Sequence, residues 1–282
     1  MYEKMTELTL LFIGDPHFKT DNIPEVEILI ERTKAIAIER SPDLICVAGD
    51  LLHTHERLHT TPLNKAYQFI DELSQIAPTY VIVGNHDYCN NQQFLTQNHW
   101  LNGMKKWNRV KIIDQVVDLE QNGVRLIFCP YVPPGRFIEA LNTIDDWESA
   151  NCILAHQEFR GCKMGAIISE EGDHWPDDYP FVISGHIHSR QTPQENIYYP
   201  GSSMQHAFGE SEKNVIALLT VSNDSAPSID EIDLQLPRKK IVYTEIENIG
   251  EVKIPEQDKI KITLSGRIDQ FKAFRKPRNI RN

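Results

Sequence analysis

Leu8-Thr9-Leu10-Leu11-Phe12-Ile13-Gly14-Asp15-Pro16-His17 is an apolar run that ends on a glycine and then presents a carboxylate and an imidazole. The arrangement returns twice, in Leu44-Ile45-Cys46-Val47-Ala48-Gly49-Asp50 and in Tyr80-Val81-Ile82-Val83-Gly84-Asn85-His86-Asp87. Short apolar runs bounded by glycine read as strands buried on both faces. Between them lie two stretches with helical spacing. Pro24–Arg40 carries Val26, Ile28, Leu29, Ile30, Ile36 and Ile38, and Pro62–Ile76 places Ala66, Phe69, Ile70 and Leu73 on one face. Pro24 suits a first helical turn. The β-α-β-α-β order implies parallel strands joined by crossover helices, an α/β class.

Farther along, Val110–Val117 and Val124–Cys129 are β-rich, and Glu120-Gln121-Asn122-Gly123 between them is a hairpin signal. Arg136–Ile144 reads as helical. Ile153–Ala155, Phe181–Ser184, Ile197–Tyr199 and Val215–Val221 read as further strands, so mixed sheets with helices on both faces are expected. Polar residues 222–228 then break the pattern. The expected division is a main domain at 1–222, a linker and closing strand at 223–237, and a small segment at 238–282 that includes the strand candidates Ile241–Ile246 and Ile260–Leu264.

The 282 residues carry a formal net charge of −11, which argues against a generally basic nucleic-acid surface. The charge is uneven. From Gly266 to Asn282, Arg267, Lys272, Arg275, Lys276, Arg278 and Arg281 face only Asp269, so this tail is +5 and the rest is −16. The ordinary reading of the tail is a solvated terminus; the functional reading is contact with a phosphate backbone. No apolar run approaches the ~20 residues of a membrane span. Five cysteines without a C-x-x-C pair fit a reducing compartment, and a cytoplasmic, nucleoid or viral replication setting is expected. Cys46, Cys129 and Cys152 read as core residues.

The chemistry-bearing residues follow strands. Asp15 and His17 follow the first, Asp50 the second, and Asn85, His86 and Asp87 the third. His156 follows Ile153–Ala155, and Gly185-His186-Ile187-His188 follows Phe181–Ser184. In α/β sheets the C-terminal strand edge is where sites form. Mixed imidazole, carboxylate and amide donors suit Mn, Fe, Zn or Co rather than Ca, with Mg also admissible. Seven donors exceed the needs of one ion and suit two sharing a carboxylate. Each element alone has a bland reading as a turn residue; their joint order does not. Trp100, Trp107 and Trp147 read as packing residues, and His55 and His59 as solvent-exposed.

The series D-x-H, GD, GNHD, H and GHxH resembles the calcineurin-like metallophosphoesterase superfamily over residues 8 to about 210. The resemblance implies a two-layered mixed β-sandwich flanked by helices, here with a small C-terminal β-rich appendage. It implies that Asp15, His17, Asp50 and His188 hold one divalent cation, and that Asp50, Asn85, His156 and His186 hold a second, with Asp50 bridging. His86 would assist the leaving oxygen, with Asp87 orienting it. Gly49-Asp50-Leu51-Leu52-His53, Tyr199-Pro200-Gly201-Ser202-Ser203 and Leu236-Pro237-Arg238-Lys239-Lys240-Ile241 resemble the SbcD-type DNA double-strand-break nuclease branch. That branch implies a Mn-dependent exo- or endonuclease in DNA repair or recombination, with His53 acting on the DNA substrate. The implied partners are DNA, an SbcC-type SMC-like ATPase and a second copy of the chain, with no membrane. Two departures stand. Phe18-Lys19 replaces an apolar residue and glycine, and the chain ends soon after Leu264, as in a compact or C-terminally shortened form. Two rival readings stay open: a small-molecule phosphodiesterase or phosphomonoesterase with the same metal core, and a catalytically silent scaffold for an ATPase.

Overall fold

The computed structural model describes residues 7–210, 213–255 and 257–273. The chain divides into two units, one of residues up to Met204 together with Lys213–Leu236, the other of 205–212 and 237 onward. In chain order the first unit contains β1 (Glu7–Ile13), α1 (Ile23–Arg40), β2 (Leu44–Val47), α2 (Thr60–Ile76), β3 (Thr79–Ile82), β4 (Val110–Ile113), β5 (Val117–Gln121), β6 (Val124–Cys129), α3 (Phe137–Leu141), β7 (Cys152–His156), β8 (Lys163–Met164), β9 (Ile167–Ile168), β10 (Val182–Gly185), β11 (Gln191–Gln194), β12 (Ile197–Tyr199), β13 (Val215–Ser222) and β14 (Ser228–Asp233).

Two six-stranded mixed sheets form the sandwich. Their orders are β14-β13-β1-β2-β3-β4 and β11-β12-β10-β7-β6-β5. β1 to β4 run parallel, as do β6, β7, β10 and β12, while β13, β14, β5 and β11 pair antiparallel at the sides. The period of two along β1 explains its unbroken apolar sequence. Leu8, Leu10 and Phe12 face the layer between the sheets with Cys46, Ile82, Phe128, Cys152 and Leu154. Leu11 and Ile13 face the opposite way, into a layer with Val26, Leu29 and Ile30 of α1 and Phe69, Ile70 and Leu73 of α2. A third apolar layer covers the far face of the second sheet, where Ile127, Ile153 and Val182 meet Phe137, Trp147 and Trp175. At about 25 cal/mol per Å² of apolar surface removed from water, these three layers are the main favourable term in folding.

One expected strand is two. Val110–Val117 breaks at Asp114, whose carboxylate accepts hydrogen bonds from His99 Nε2 at 3.1 Å and Lys105 Nζ at 2.5 Å. The residues before the break form β4 in the first sheet, and those after it begin β5 in the second. The chain crosses between layers there, which an apolar pattern alone does not register. The expected hairpin forms between β5 and β6, with Asn122 at φ 55° and Gly123 at φ 74°, the left-handed pair of a tight two-residue turn.

The second unit contains the parallel pair β15 (Lys239–Glu245) and β16 (Lys259–Ser265), followed by α4 (Ile268–Ala273). Lys239 Nζ donates to the carbonyls of Gln205 and His206 at 2.6 and 3.1 Å, tying the two segments of this unit together. Phe274, Arg275, Lys276, Arg278 and Arg281 of the basic tail lie outside the described residues. Among the described residues no helix is long and apolar enough to cross a membrane.

Candidate metal centre

Five loops at one edge of the sandwich bring the sequence-predicted ligands together. Three leave the first sheet, after β1, β2 and β3, and two leave the second, after β7 and β10. The backbone bends sharply where they leave. Asp15, His17, Asp50 and His186 adopt φ of 40°, 45°, 51° and 78°. Non-glycine residues seldom occupy this left-handed region, and the cost of each falls on the packing that holds it. The glycines beside them are there for space. A Cβ on Gly84 would lie 2.3 Å from Asp50 Oδ1, and one on Gly49 would lie 2.6 Å from His156 Nδ1.

The donors fall into two groups that share Asp50. Asp15, His17 and Asp50 offer ligand atoms all within 4.8 Å of one another, and so do Asp50, His156 and His186. In the first group His17 Nε2 lies 3.4 Å from Asp50 Oδ2 and 3.0 Å from His188 Nε2. In the second, His156 Nε2 lies 3.4 Å from Asp50 Oδ1 and 3.0 Å from Asn85 Oδ1, which also lies 3.0 Å from His186 Nδ1. All seven predicted ligands are thus brought together in one cluster. The supporting contacts set the tautomer: His156 Nδ1 donates to the Ala48 carbonyl at 2.6 Å, leaving Nε2 to face the shared oxygens. Asp15 Oδ1 accepts from the His186 amide at 2.9 Å, locking the first sheet's loop to the second's.

His86 sits beside this cluster. The His53 carbonyl accepts from its Nδ1 at 2.7 Å, and its backbone amide donates to Asp50 Oδ1 at 2.8 Å. Asp87 does not hold the ring. Its carboxylate accepts from the Gly84 amide and from Trp100 Nε1, both at 3.0 Å, so it braces the loop that carries Asn85 and His86. His53 joins the cluster through its Nδ1, 3.3 Å from His17 Nδ1.

Burial sets the electrostatics. Asp15, Asp50 and Asp87 are all almost fully enclosed. Burial raises the Asp15 carboxyl and, with the nearby charge of Asp50, pushes Asp87 up to about 7. Burial also opposes charge on Asp50 and His156, but their mutual attraction wins: Asp50 is held well below the usual carboxylate range and His156 is held up to about 9. Burial lowers His53 and His86. A neutral imidazole is what a metal takes, so a divalent cation would stand in for the proton that now compensates Asp50.

Three residues escape a reading by motif. His55, expected in solvent, is half-buried and lies face to face with His86, ring centroids 4.7 Å apart and planes 12° from parallel. Tyr131 follows β6 at the same sheet edge and packs its ring 5.7 Å from that of His186. Glu158 places Oε2 3.9 Å from His186 Nε2, and that contact, with a hydrogen bond from Ser169, holds its carboxyl down. The available signals are slight: Tyr131 ends one more strand of the set, and Glu158 lies two residues past His156. Trp147 is buried, and Trp100 and Trp107 pack against the first apolar layer, as expected.

Oxygen and imidazole donors converging in two groups about one carboxylate fit two divalent cations. The chain belongs to the calcineurin-like phosphoesterase family, whose model matches residues 8–210. That family generally works through a two-metal centre and hydrolyses phosphoesters. Proteins 078R of Invertebrate iridescent virus 3 and 244L of Invertebrate iridescent virus 6, each provisionally named a phosphoesterase, are both 49% identical to it. The alignments cover 97% of this chain and 81% of the first relative, and 96% and 99% for the second. Among solved structures, GAP50 of Plasmodium, an anchor in the inner membrane complex, overlays with a TM-score of 0.49 at 15% identity over 81% of this chain and 89% of that one.

Proposed function

We propose that this chain is a Mn-dependent phosphodiesterase acting on DNA, a nuclease of the SbcD type. The observation that carries the proposal is His53. It follows Asp50 in the order of that branch, reaches within 3.3 Å of the ligand His17, and holds His86 through its carbonyl. A small-substrate esterase needs only the ligands and His86, whereas a second histidine at the mouth suits a substrate that extends past the scissile bond. The phosphoesterase names of the two iridovirus proteins agree with the reaction class.

Asp15, His17, Asp50 and His188 would hold one cation, and Asp50, Asn85, His156 and His186 the other. Bound there, two divalent cations supply Lewis acidity to activate water and to offset the charge on phosphorus-bound oxygens. Asp50 would be shared by the two, since its Oδ2 faces His17 and its Oδ1 faces His156. Asp15 and Asn85 set the facing loops through the His186 amide and through two imidazoles respectively. His86 donates a proton to the departing sugar oxygen, its ring orientation set by the His53 carbonyl. Asp87 and Trp100 hold the backbone under it.

The net charge of −11 favours a second reading, a small-molecule phosphodiesterase with the same core. Purified protein loaded with Mn should be given linear duplex DNA, a cyclic nucleotide and bis(p-nitrophenyl) phosphate. Release of nucleotides from DNA, abolished by chelator and restored best by Mn, is the expected result. Hydrolysis of the cyclic nucleotide with DNA untouched would replace the nuclease by the small-molecule enzyme.

A further inference from the structure

Two cavities flank the histidines at the mouth of the site, and they differ in character. The one on the His53 side, about 260 Å³, is lined by Lys19 beside Asp21 and by the hydroxyl residues Thr20 and Thr54. The one on the His55 side, about 380 Å³, contains no lysine or arginine. Its lining acids are Glu56 and Asp87. A phosphate would meet repulsion in the second cavity and no counter-charge.

The second cavity has the walls of a site for a flat, neutral heterocycle. Trp100 is pinned by its Nε1 to Asp87, and His55 is pinned by Nδ1 at 3.2 Å from the Tyr88 carbonyl. These fixed rings offer stacking and edge contacts, and Leu58, 41% exposed, adds an apolar face at the rim. Gln97 supplies a side-chain amide, a group able to donate and accept at once, as a nucleobase edge requires, while Asn102 braces the wall by donating Nδ2 to the Gln97 and His99 carbonyls at 2.6 and 3.1 Å. Its volume is of the order that a single nucleoside needs, at the small end of ligand pockets generally, about 300–1,000 Å³.

His55 links this cavity to the chemistry, because its ring covers one face of His86 while lining the cavity. His53 also lies nearly parallel to His86, but the cavity on its side carries Lys19, so an uncharged remainder of a group departing toward His86 is better matched by the His55 side. We propose that this cavity is the leaving-group subsite and takes the nucleobase of the departing nucleoside, with His55 as a positioning residue for both. The assignment to the leaving group rests on the proposed role of His86 as proton donor; the base-binding property of the cavity does not.

The test separates the two. Equilibrium dialysis of adenosine against the full chain needs no turnover. The expected Kd is about 1 mM, the ordinary range for so small a contact area. Ribose alone should not bind. Cys89→Trp fills the cavity and should weaken adenosine at least about tenfold, the size of one lost base-stacking contact. Leu58→Ala, a change at an exposed position that the fold tolerates, should weaken it about threefold. Absence of adenosine binding, equal binding of ribose, or binding unchanged in both variants would overturn the base site.

The catalytic half is read on oligonucleotides with and without the base at the leaving position. The wild type should cleave the intact one with kcat/KM about tenfold above the abasic one, and Cys89→Trp should erase that difference. Equal rates in the wild type would overturn the leaving-group assignment. Adenosine binding without hydrolysis of any DNA or aryl diester would remove the nuclease reading and leave the base site standing. Hydrolysis without adenosine binding would do the reverse.

Discussion

The backbone carbonyl of His53 accepts a 2.7 Å hydrogen bond from Nδ1 of His86, so one histidine's main chain sets the ring of the other. The two rings also lie 5.6 Å apart and 10° from parallel. His86→Ser should therefore keep the bound metal and lose about 10²–10⁴ in rate on DNA, the usual worth of a placed acid. The loss should shrink on bis(p-nitrophenyl) phosphate, whose leaving group departs without a proton. His53→Ala keeps the carbonyl and should cost less than His86→Ser on both. Equal loss on both substrates would mean that His86 does not protonate the leaving oxygen.

Asp50 is the one side chain shared by both donor groups, with Oδ2 toward His17 and Oδ1 toward His156. Asp50→Asn preserves its shape but removes the charge. Metal analysis of the purified variant should show the content fall from two ions per chain to fewer than one, with hydrolysis lost. Two ions retained would mean that Asp50 does not bridge.

Gly84→Ala tests the close approach between the β2 and β3 loops. The added Cβ would meet Asp50 Oδ1 at 2.3 Å and Asp50 N at 2.4 Å, backbone that cannot yield. A loss of about 1–3 kcal/mol in unfolding free energy is expected, with reduced metal content. Gly103→Ala is the control, because its Cβ would meet only Tyr67 Oη at 3.4 Å. Thermal melts that matched for the two variants would count against the contact.

Acid should weaken the fold at Glu231. Burial pushes this carboxyl up, but hydrogen bonds from Lys213, Tyr198 and Arg190 outweigh it and hold it at about 2, against an ordinary 4.5. The folded value lies below the unfolded one, so the stabilisation is complete above about 4.5 and disappears as pH falls through about 2. Glu231→Gln should lower stability at neutral pH by about 1 kcal/mol, the range for a partly exposed ion pair. Its melting temperature should then fall less steeply between pH 4.5 and 2 than that of the wild type. Parallel pH profiles would show that the pairing contributes nothing.

The sequence by itself determined the alternation of apolar strands and helices, and the places where each strand ends in a glycine and a donor. Those are local properties: β1 reads as apolar on both faces because both faces are buried, and Gly49 and Gly84 stand where a Cβ has no room. The positions of the seven candidate ligands were legible for that reason, since each lies at or just past a strand end.

Only the tertiary structure decided which neighbours those strand ends acquire. β4 and β5 separate at Asp114 into different sheets, and the carboxylate there is held by His99 and Lys105, contacts that apolar period does not register. The partner of His86 is a main-chain carbonyl, which every residue possesses and no sequence pattern marks. His55 has the polar surroundings of a solvent-exposed loop in sequence, yet the return of that loop over the β3 turn stacks it on His86. Glu158 and Tyr131 come to the site only because two sheets, separated by long stretches of chain, present their strand ends at one edge. Contacts between distant segments depend on how the layers close, and that is a property of the packed sandwich rather than of any stretch within it.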